Sequence, residues 1–402
     1  MALDTSRRQP QLLPALLPLG LVFLAVGISV ALVGPFLSLF LSTEVDAGPL
    51  QTTVFLIINP LAGVVGSTVI GRISDRRPIR RMLLVAGGLA GVAGCAVTAF
   101  ARDYWVLLAV TVTAFAVAGS LFPQSFAYAR QVLERDAPDK AALGISALRT
   151  VFSLAWVAGP AVAAYLVEAG GFRLVYGSAA VMYAVATVIA IVKLREVHTP
   201  ALPRVEEEAD HAPVPATVRW RLLLSAAAFT LMQAPLTLGI QALPLFISEN
   251  LGGRVAQAGL VLGLCAALEI PFMLAIGALT TRLPLRPMLL AGAACGVAYY
   301  SLAAVSTGVP LLLGGQVLNA LFISATSALG ITYMQDLLPE QPGRATTLFT
   351  NSFPLGAMLA GPLFGVAQSN GWRLAYWMCA GLCLVGLLML VVLRTSRGTR
   401  KR

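Results

Sequence analysis

Charged residues are scarce in this sequence. Asp, Glu, Lys and Arg make up 11% of its 402 residues, against about 25% in a typical soluble domain. Hydrophobic residues make up 58%, and the mean hydropathy is +0.82. A chain with so few polar groups cannot cover a water-exposed surface, which excludes a soluble globular protein and indicates a membrane protein.

Histidine is almost absent, which removes most classes of enzyme. Both residues, His198 and His211, lie in one hydrophilic stretch, and neither forms a metal-ligand spacing with a cysteine. No Ser-His or Cys-His arrangement and no glycine-rich phosphate loop is present. We therefore expect no enzyme activity, no metal site and no cofactor. Small buried hydrophobic side chains, without disulfides, are the expected role of the five cysteines: Cys95, Cys265, Cys295, Cys379 and Cys383.

A concentrated basic face is missing, although the net charge is +10 and the pI is near 9.8. The positive charges lie in short turns between apolar runs. Nucleic-acid binding requires such a face, so the sequence excludes it. An excess of positive charge in the loops on one side of a membrane accounts for the composition better.

Long apolar runs fill the chain. Six precede residue 195 and six follow residue 218, each long enough for the roughly 20 residues of a membrane-spanning helix. Residues 195–218 are rich in Glu and contain four prolines, which indicates a flexible polar linker. The sequence predicts an all-α membrane protein with twelve transmembrane helices in two pseudo-symmetric six-helix halves. The N-terminal bundle comprises residues 1–194, the cytoplasmic linker 195–218 and the C-terminal bundle 219–402.

Lysine and arginine are distributed unevenly between the two sides of the predicted bundle. Of the 28 such residues, 23 lie at the two termini, in the linker and in the loops on the same side of the bundle as the linker. Arg149 lies within a helix. Positively charged loops stay in the cytoplasm, so we expect both termini and the linker to be cytoplasmic. Trp105 and Trp372 begin helices on the other side, where they would anchor the membrane interface. The loops on that other side contain four arginines: Arg102, Arg173, Arg254 and Arg373.

The chain repeats itself once. Residues 71–84, a charge-rich turn between two apolar runs, recur as residues 277–290 at an offset of 206 (277 − 71), and 7 of the 14 positions agree. The match continues upstream, where residues 37–42 correspond to residues 243–248. Two parallel copies of one unit of hydrophobic helices are the layout of a major facilitator transporter.

The repeated turn resembles the signature loop of the major facilitator superfamily. In that loop a Gly, an Asp-Arg pair and further basic residues follow a fixed spacing, which Gly71, Asp75, Arg76 and Arg80 match. Pro78 stands where the family has its second Gly, so the geometry of the turn departs from the pattern.

The chain resembles the sugar efflux transporters of that superfamily more closely, and over nearly its whole length. Five blocks carry the resemblance: residues 37–42, 126–130, 153–160, 268–271 and 346–352. The resemblance implies a secondary active transporter that exports sugars, either lactose- or glucose-type saccharides or glycosides. It also implies transport across the cytoplasmic membrane by proton antiport with alternating access.

Two charged residues lie within predicted helices, where a charge is costly and usually faces a cavity or a partner. Arg149 lies roughly 10 Å from the cytoplasmic end of helix 5, and Glu269 lies near the middle of helix 8. A structural ion pair is the alternative to a role in a cavity. Because no span contains a histidine, Glu269 is the candidate for proton coupling.

Polar and aromatic residues within the helices are the candidates for substrate binding, since sugar hydroxyls need donors and acceptors and sugar C–H faces pack on rings. Each amide could instead join two helices, because an unpaired buried amide costs about 1–3 kcal/mol. Asn351 occupies the repeat position of Arg149 (351 − 149 = 202), which favours a cavity for both. The candidates are Asn59, Gln124, Arg149, Trp156, Gln233, Asn319 and Asn351.

The signature turn is the predicted conformational gate, formed by Gly71, Asp75, Arg76 and Arg80. We expect Asp75 to pair with an arginine or a helix N-terminus, in its own half or across the interface, in the outward-open state. Membrane topology alone is the alternative explanation for the surrounding arginines.

A multidrug or small-molecule efflux antiporter of the same fold is the alternative function, since a fold does not determine function. Its site would be mostly aromatic and apolar, whereas this chain offers amides and an arginine. Uptake in place of export is a third possibility. We expect a monomer in the cell inner membrane, with a sugar, protons and the lipid bilayer as its partners and the proton gradient in place of a cofactor.

Overall fold

The computed structural model describes residues 12–136, 138–196 and 216–393, and within these ranges it is helical, without a strand. The first half contains α1 (Leu12–Val33, Gly34–Phe36 and Leu37–Thr43), α2 (Pro49–Arg76), α3 (Arg80–Phe100), α4 (Tyr104–Val110, Thr111–Phe115, Ala116–Ala118 and Leu121–Asp136), α5 (141–169) and α6 (172–193). The second half contains α7 (Ala216–Asn250), α8 (Val255–Leu279), α9 (Leu285–Val305), α10 (Val309–Leu337), α11 (Pro342–Asn370) and α12 (Trp372–Val392).

Ten helices of the described ranges can cross a membrane by length and composition. This count takes α5 and α6 together as Leu143–Lys193 and leaves out α11. α5 and α6 are separate helices, because Gly170 and Gly171 between them have non-helical backbone angles and Gly171 has φ of 67°. The described residues thus contain twelve long helical segments, six on each side of the linker. α7 begins at Ala216, and residues 197–215 lie outside the described residues, so the linker bounds stay a prediction.

Helix α1 is interrupted by a 3₁₀ turn at Gly34–Phe36. The cause is Pro35, which has no N–H to continue the α-helical bonding and whose ring crowds the preceding turn. In a membrane the backbone groups freed by such a break need other partners. They find one in the opposite half of the molecule, as described below.

Equivalent contacts occur in the two halves. Phe40 packs against Tyr176 with ring centroids 5.1 Å apart, and Phe246 packs against Tyr376 at 4.6 Å. Phe246 follows Phe40 by 206 residues (246 − 40), the offset of the repeated turn. The internal repeat therefore extends from the sequence to the packing of α1 on α6 and of α7 on α12.

A similar contact closes each half at the linker end, although it is made from neighbouring positions of the repeat, because Arg286 corresponds to Arg80 (286 − 80 = 206) and not to Arg81. Arg81 at the start of α3 donates from Nε and Nη2 to the carbonyls of residues 190 and 191 in the last turn of α6, at 3.2 and 2.7 Å. Arg286 at the start of α9 donates from Nη2 to residues 390 and 391 of α12, at 3.2 and 2.8 Å. These bonds satisfy carbonyls that a helix leaves unpaired at its C-terminus.

The two predicted interface tryptophans differ in their surroundings. Trp105 is 70% exposed, as expected of a residue that faces the membrane interface. Trp372 is 4% exposed, and its Nε1 donates to Glu249 Oε2 at 2.8 Å. The prediction for Trp372 is wrong, because Phe364 and the carboxylate of Glu249 together hold the ring within the second half.

The two halves meet at the end of the molecule opposite the linker. Gln241 of α7 bonds both sides of the break in α1, since its Oε1 accepts from Ser38 N–H at 3.1 Å and its Nε2 donates to the Gly34 carbonyl at 2.9 Å. Nearby, Glu168 of α5 accepts from Arg254 Nη2 at 2.7 Å. These bonds all cross from one half to the other and hold this end closed.

Glycines let the helices approach closely at the closed end. Gly263 of α8 faces α5, where a Cβ would lie 2.6 Å from the carbonyl oxygen of Val157. Gly361 of α11 faces α2, where a Cβ would lie 3.0 Å from the carbonyl oxygen of Thr53. Distances this short leave no room for a side chain, so the closed arrangement depends on these glycines.

The halves separate toward the linker end. Polar residues of α5 and α11 that lie closer to the linker are exposed within long apolar helices: Arg149, Thr150, Thr347 and Asn351. The structure is therefore a two-half bundle with a cleft that opens toward the linker end and is closed at the other.

We expect Gly263→Ala to open the closed end. The added methyl group would overlap the Val157 carbonyl in the closed arrangement. The overlap destabilises that arrangement by about 1–3 kcal/mol and leaves an open one unaffected. Pulsed electron paramagnetic resonance between spin labels in the 101–103 and 306–308 loops would measure a larger population of long distances.

Gly277→Ala on the same helix is the matched control, because a Cβ there meets nothing within 4 Å. Both changes raise helix propensity equally, so only the contact differs. Identical distance distributions for the two variants would show that closure does not depend on Gly263.

Candidate functional site

A cavity of about 130 Å³ lies between the halves, where α8, α9 and α10 face α5. Its polar groups come from the second half, and the first half contributes Trp156, Pro160 and the break residue Pro35. The residues of its wall that carry polar or aromatic groups are Trp156, Cys265, Glu269, Tyr299, Tyr300, Gln316 and Asn319.

Glu269 is the carboxylate of this cavity. The Cys265 thiol, one helical turn away, donates to Glu269 Oε1 at 3.5 Å, and Ser324 Oγ donates to the Glu269 backbone carbonyl at 3.2 Å. Glu269 forms no ion pair with Arg149 or with any other residue in the described part of the chain. The carboxylate is therefore held by one weak donor and is free to change its partner.

A chain of side-chain hydrogen bonds extends from Cys265 along the cavity wall. Asn319 Nδ2 donates to Cys265 Sγ at 3.3 Å and to Gln316 Oε1 at 3.0 Å. Gln316 Nε2 in turn donates to Tyr299 OH at 2.9 Å. Asn319 Oδ1 is buried without a partner, although an unpaired buried acceptor costs about 1–3 kcal/mol. Asn319 thus lines the cavity with one acceptor left unpaired in this arrangement.

Trp156 forms the opposite side of the cavity. Its side chain is half-buried, and its Cη2 approaches Gly34 of α1, where a Cβ would lie 3.9 Å away. The indole ring of one half therefore faces the carboxylate and the amides of the other. A ligand between them would contact both halves at once.

The first half contains a cavity of its own, of about 210 Å³. Asn59 lies in its wall at the repeat position of Cys265 (265 − 59 = 206), and the repeat position of Glu269 is Gly63. The hydroxyls of Ser29 and Thr111 in this wall donate to backbone carbonyls of their own helices. The two cavities are related by the repeat, but of the two only the one between the halves has a carboxylate in its wall.

Two of the predicted binding residues lie away from both cavities. Gln124 is buried near the linker end of the first half, where its Nε2 donates to Ser74 Oγ at 3.2 Å. Gln233 is buried where α7 packs on α11, and its Cβ would lie 2.6 Å from a Cβ at Gly356. Gln124 therefore bonds within the first half, although its Oε1 is buried without a partner, and Gln233 lies in the contact between α7 and α11.

Arg149 and Asn351 lie in the open cleft and not in the cavity. The close contact of Val157 with Gly263 gives a common reference level on α5 and α8. Arg149 lies eight residues from Val157 toward the linker end of α5, and Glu269 lies six residues from Gly263 toward the linker end of α8. At 1.5 Å rise per residue these are depths of about 12 and 9 Å. The two charges therefore flank the same opening on helices that part there, without a direct bond.

The signature turn lies within the first half. Arg80 Nη2 donates to Asp75 Oδ1 at 3.1 Å, with 65% of the Asp75 side chain exposed. Arg76 is exposed, and Gly71 has open space around its Cα. The role of these four residues as a gate stays a prediction, since it concerns the outward-open state.

The sequence analysis does not include Tyr299 or Gln316 among the candidates for binding, and it assigns Cys265 only a packing role, whereas the structure gives Cys265 two hydrogen bonds in the cavity wall. One signal was available, because Cys265 precedes Glu269 by four residues and side chains at that spacing share one face of a helix. Nothing in the sequence indicated that Tyr299 would complete the chain from a third helix.

Known proteins match this chain over nearly its full length. The sequence profile of the Major Facilitator Superfamily matches residues 19–241 and 236–402. Sugar efflux transporter A of Escherichia coli is 34% identical over 92% of this chain and 93% of its own. Sugar efflux transporter A of Dickeya chrysanthemi is 35% identical over 94% of this chain and 95% of its own.

The fold is shared with solved transporter structures. The nucleoside transporter NupG superposes with a TM-score of 0.72 at 14% identity, over 96% of this chain and 99% of its own. A POT family transporter in complex with 5-aminolevulinic acid gives a TM-score of 0.78 at 12% identity, over 94% and 95%. Both are transporters, and this chain has the same fold.

The chain belongs to the Major Facilitator Superfamily and, within it, to the sugar efflux transporters. It is a multi-pass membrane transporter and not an enzyme, as the sequence predicts.

We expect Asp75→Asn to slow transport by about two- to fivefold while substrate affinity stays nearly intact. The pair with Arg80 is largely exposed and stabilises one state by at most about 1 kcal/mol, enough to bias a balanced equilibrium between states. Transport rates in vesicles and equilibrium binding to the purified protein would separate the two effects.

Arg77→Ala is the control for this turn, because Arg77 is exposed and its charge serves topology alone in our interpretation. A large loss of affinity in Asp75→Asn, with an unchanged balance between states, would contradict a gate at Asp75.

Proposed function

We propose that this protein exports sugars across the cytoplasmic membrane in exchange for protons, by alternating access of one central site. The observation that carries the proposal is the cavity between the halves, which combines the carboxylate of Glu269, the amide of Asn319 and the ring of Trp156. The relatives named sugar efflux transporters support the substrate class and the direction.

The distribution of positive charge supports the orientation. The linker end, where 23 of 28 lysines and arginines are expected, is the cytoplasmic end in our proposal, with both termini on that side of the inner membrane. The open cleft then faces the cytoplasm, so the structure is inward-open. A substrate enters from the cytoplasm, and release requires the glycine contacts at the other end to part. The protein works as a monomer and needs no cofactor beyond the proton gradient.

The chemistry of the cavity suits a hydroxylated ring. The Glu269 carboxylate can accept from a sugar hydroxyl, and the amide of Asn319, whose oxygen has no partner in this arrangement, can turn to accept from a second. The indole of Trp156 offers an apolar face for the C–H groups of the ring. Pockets for small ligands commonly combine an apolar wall with a few placed polar groups in this way.

Glu269 is the proton carrier in this mechanism. It lies in the cavity without an ion pair, so its protonation does not break a salt bridge. Arg149 on the facing wall of the cleft is within reach of a sugar that enters, and closure of the linker end would bring α5 toward α8. Sugar and proton then use the same opening in turn, which is the requirement for exchange.

We expect Glu269→Gln to bind and exchange sugar but to lose accumulation driven by a pH gradient, because the amide has the shape of the neutral acid and carries no proton. The measurement is uptake of radiolabelled lactose into inverted membrane vesicles, acidic inside, beside lactose exchange without a gradient. The control is Glu134→Gln, an exposed carboxylate paired with Arg130 at the linker end.

Accumulation of lactose by Glu269→Gln with normal pH dependence would exclude Glu269 as the proton carrier. Absence of lactose and glucose transport by the unaltered protein would exclude sugar export itself.

We expect Arg149→Lys to weaken sugar binding by about 10- to 100-fold. Lysine keeps the charge but lacks the planar guanidinium group, whose N–H donors can bond two hydroxyls at once. A hydrogen bond to a charged group contributes about 1.5–3 kcal/mol. Equilibrium binding of labelled lactose would test this, with Lys193→Arg as a control for the chemical change. Unchanged affinity would assign Arg149 to structure.

Efflux of apolar cations or drugs is the second candidate, favoured by the cavity of the first half. That cavity is larger, and its wall is mainly aliphatic and aromatic with Asn59 as its one amide. Transport of a cationic dye in the same vesicles distinguishes the two functions, since Asn59→Leu would affect the dye and Asn319→Leu the sugar.

A further inference from the structure

We propose that the cavity of the first half is a binding site for a small neutral ring compound with a hydrogen-bonding group, such as a phenol, and that a bound ligand holds the end opposite the linker closed. The inference goes beyond sugar export and does not depend on it.

The cavity belongs to one half. The residues of its wall all lie in the chain from Val26 to Tyr183, so a ligand inside it would contact the first half alone. The wall contains no charged side chain, which leaves an ion without a counter-charge and favours a neutral ligand. The cavity volume is about 210 Å³. A dry cavity of roughly 150 Å³ holds benzene, so this one can hold a substituted ring.

Three side chains of the wall carry oxygen or nitrogen groups that make no hydrogen bond within the described part of the chain: Asn59, Tyr176 and Tyr183. The two tyrosines are 2% and 6% exposed. Their hydroxyl oxygens nevertheless border open space, whereas that of Tyr333 in the second half is fully enclosed. Polar groups this deep in a membrane bundle require partners. The wall therefore suits a ligand that is mainly apolar and can donate or accept a hydrogen bond.

The internal repeat relates the free hydroxyl of Tyr176 to the break in α1. The counterpart of Tyr176 is Tyr376, which donates to the carbonyl of Gly239 at 3.4 Å. The repeat position of Gly239 is Val33 (239 − 206 = 33), the last residue of α1 before the break. The second half thus keeps this bond, and the first half, with α1 broken at the equivalent level, lacks it.

The same break connects the cavity to the closed end. Gly34 and Leu37 lie in the cavity wall, and the Gly34 carbonyl and the Ser38 N–H both bond to Gln241 of the other half. When the closed end parts, these backbone groups lose Gln241 and need other partners within the bilayer, so residues 34–38 rearrange. A ligand packed against these residues favours the closed arrangement, because it binds that arrangement better.

The probes are 4-fluorophenol, which is neutral at pH 7, and fluorobenzene, which lacks only the hydroxyl. Fluorine NMR titration of the purified full-length protein measures both Kd values. We expect 4-fluorophenol to bind about 3- to 10-fold more tightly, the effect of one hydrogen bond. Tyr176→Phe, Tyr183→Phe and Asn59→Leu each remove one free polar group. The variant that removes the partner of the phenol should bring the two Kd values within about twofold of each other.

Tyr333→Phe is the matched control for these variants. Tyr333 is a buried tyrosine whose hydroxyl is also unpaired in the described residues, but it lies in the second half and outside both cavities. Its replacement should leave both Kd values unchanged. Size-exclusion chromatography would confirm that each variant is folded.

The link to the closed end is tested with Gly263→Ala, which we expect to open that end. This variant should bind 4-fluorophenol about fivefold or more weakly, within the usual range for coupled sites. Gly277→Ala, where the added Cβ meets nothing within 4 Å, should bind it as the unaltered protein does. Reciprocally, saturating 4-fluorophenol should reduce the population of long distances between the 101–103 and 306–308 loops in Gly263→Ala.

Absence of binding by either probe would mean that water alone fills the cavity and would overturn the site. Equal Kd values for the two probes, or no effect of any of the three wall variants, would overturn the phenol class. Binding that leaves the loop distances of Gly263→Ala unchanged would overturn the link to the closed end. A lack of sugar transport by the unaltered protein changes none of these measurements and refutes the proposed function alone.

Discussion

The architecture depends on how the break in α1 is repaired. Pro35 interrupts the first helix at Gly34–Phe36, and within a bilayer no water is present to bond the Ser38 N–H and the Gly34 carbonyl on either side of the break. The side chain of Gln241 supplies both a donor and an acceptor from the opposite half. The bond that satisfies α1 is thus also a bond between the halves. The break in α1 therefore stabilises the closed end, because the backbone groups beside it bond to the other half. Pro35 also lies in the wall of the cavity, so the break and the cavity adjoin.

The two halves are copies in packing but not in chemistry. Phe40 and Phe246 make the same aromatic contact, and Arg81 and Arg286 bond the last turn of equivalent helices. At the cavities the copies diverge, because Gly63 occupies the position that Glu269 has in the second half. Repetition supplies a frame of two similar halves with a cavity between them. The loss of symmetry at a few positions gives that frame one polar wall and one carboxylate.

Much of the frame could be predicted from the sequence because it rests on composition and on a repeat. The repeat of residues 71–84 at 277–290 predicts the two halves, and the apolar runs predict the helical segments. The sequence also predicts Trp156, Glu269 and Asn319 as functional residues, and the structure brings them to one cavity. Gln124 and Gln233 lie elsewhere, since a helix that is apolar on all faces has no periodicity to show which side faces the cavity. Asn319 and Cys265 could not be joined by sequence reasoning, because their contact depends on how α8 and α10 cross.

The arginine bonds at the linker end have a consequence for biosynthesis. In each half they join the start of the third helix to the end of the sixth, so they close the unit when its last helix is in place. Domains of large proteins generally fold as units, the N-terminal one first as the chain emerges. The first six helices therefore contain the contacts that close their own half and need no residue of the second half for them. The bonds of Gln241 and Glu168 join the two halves, so they require both halves to be present.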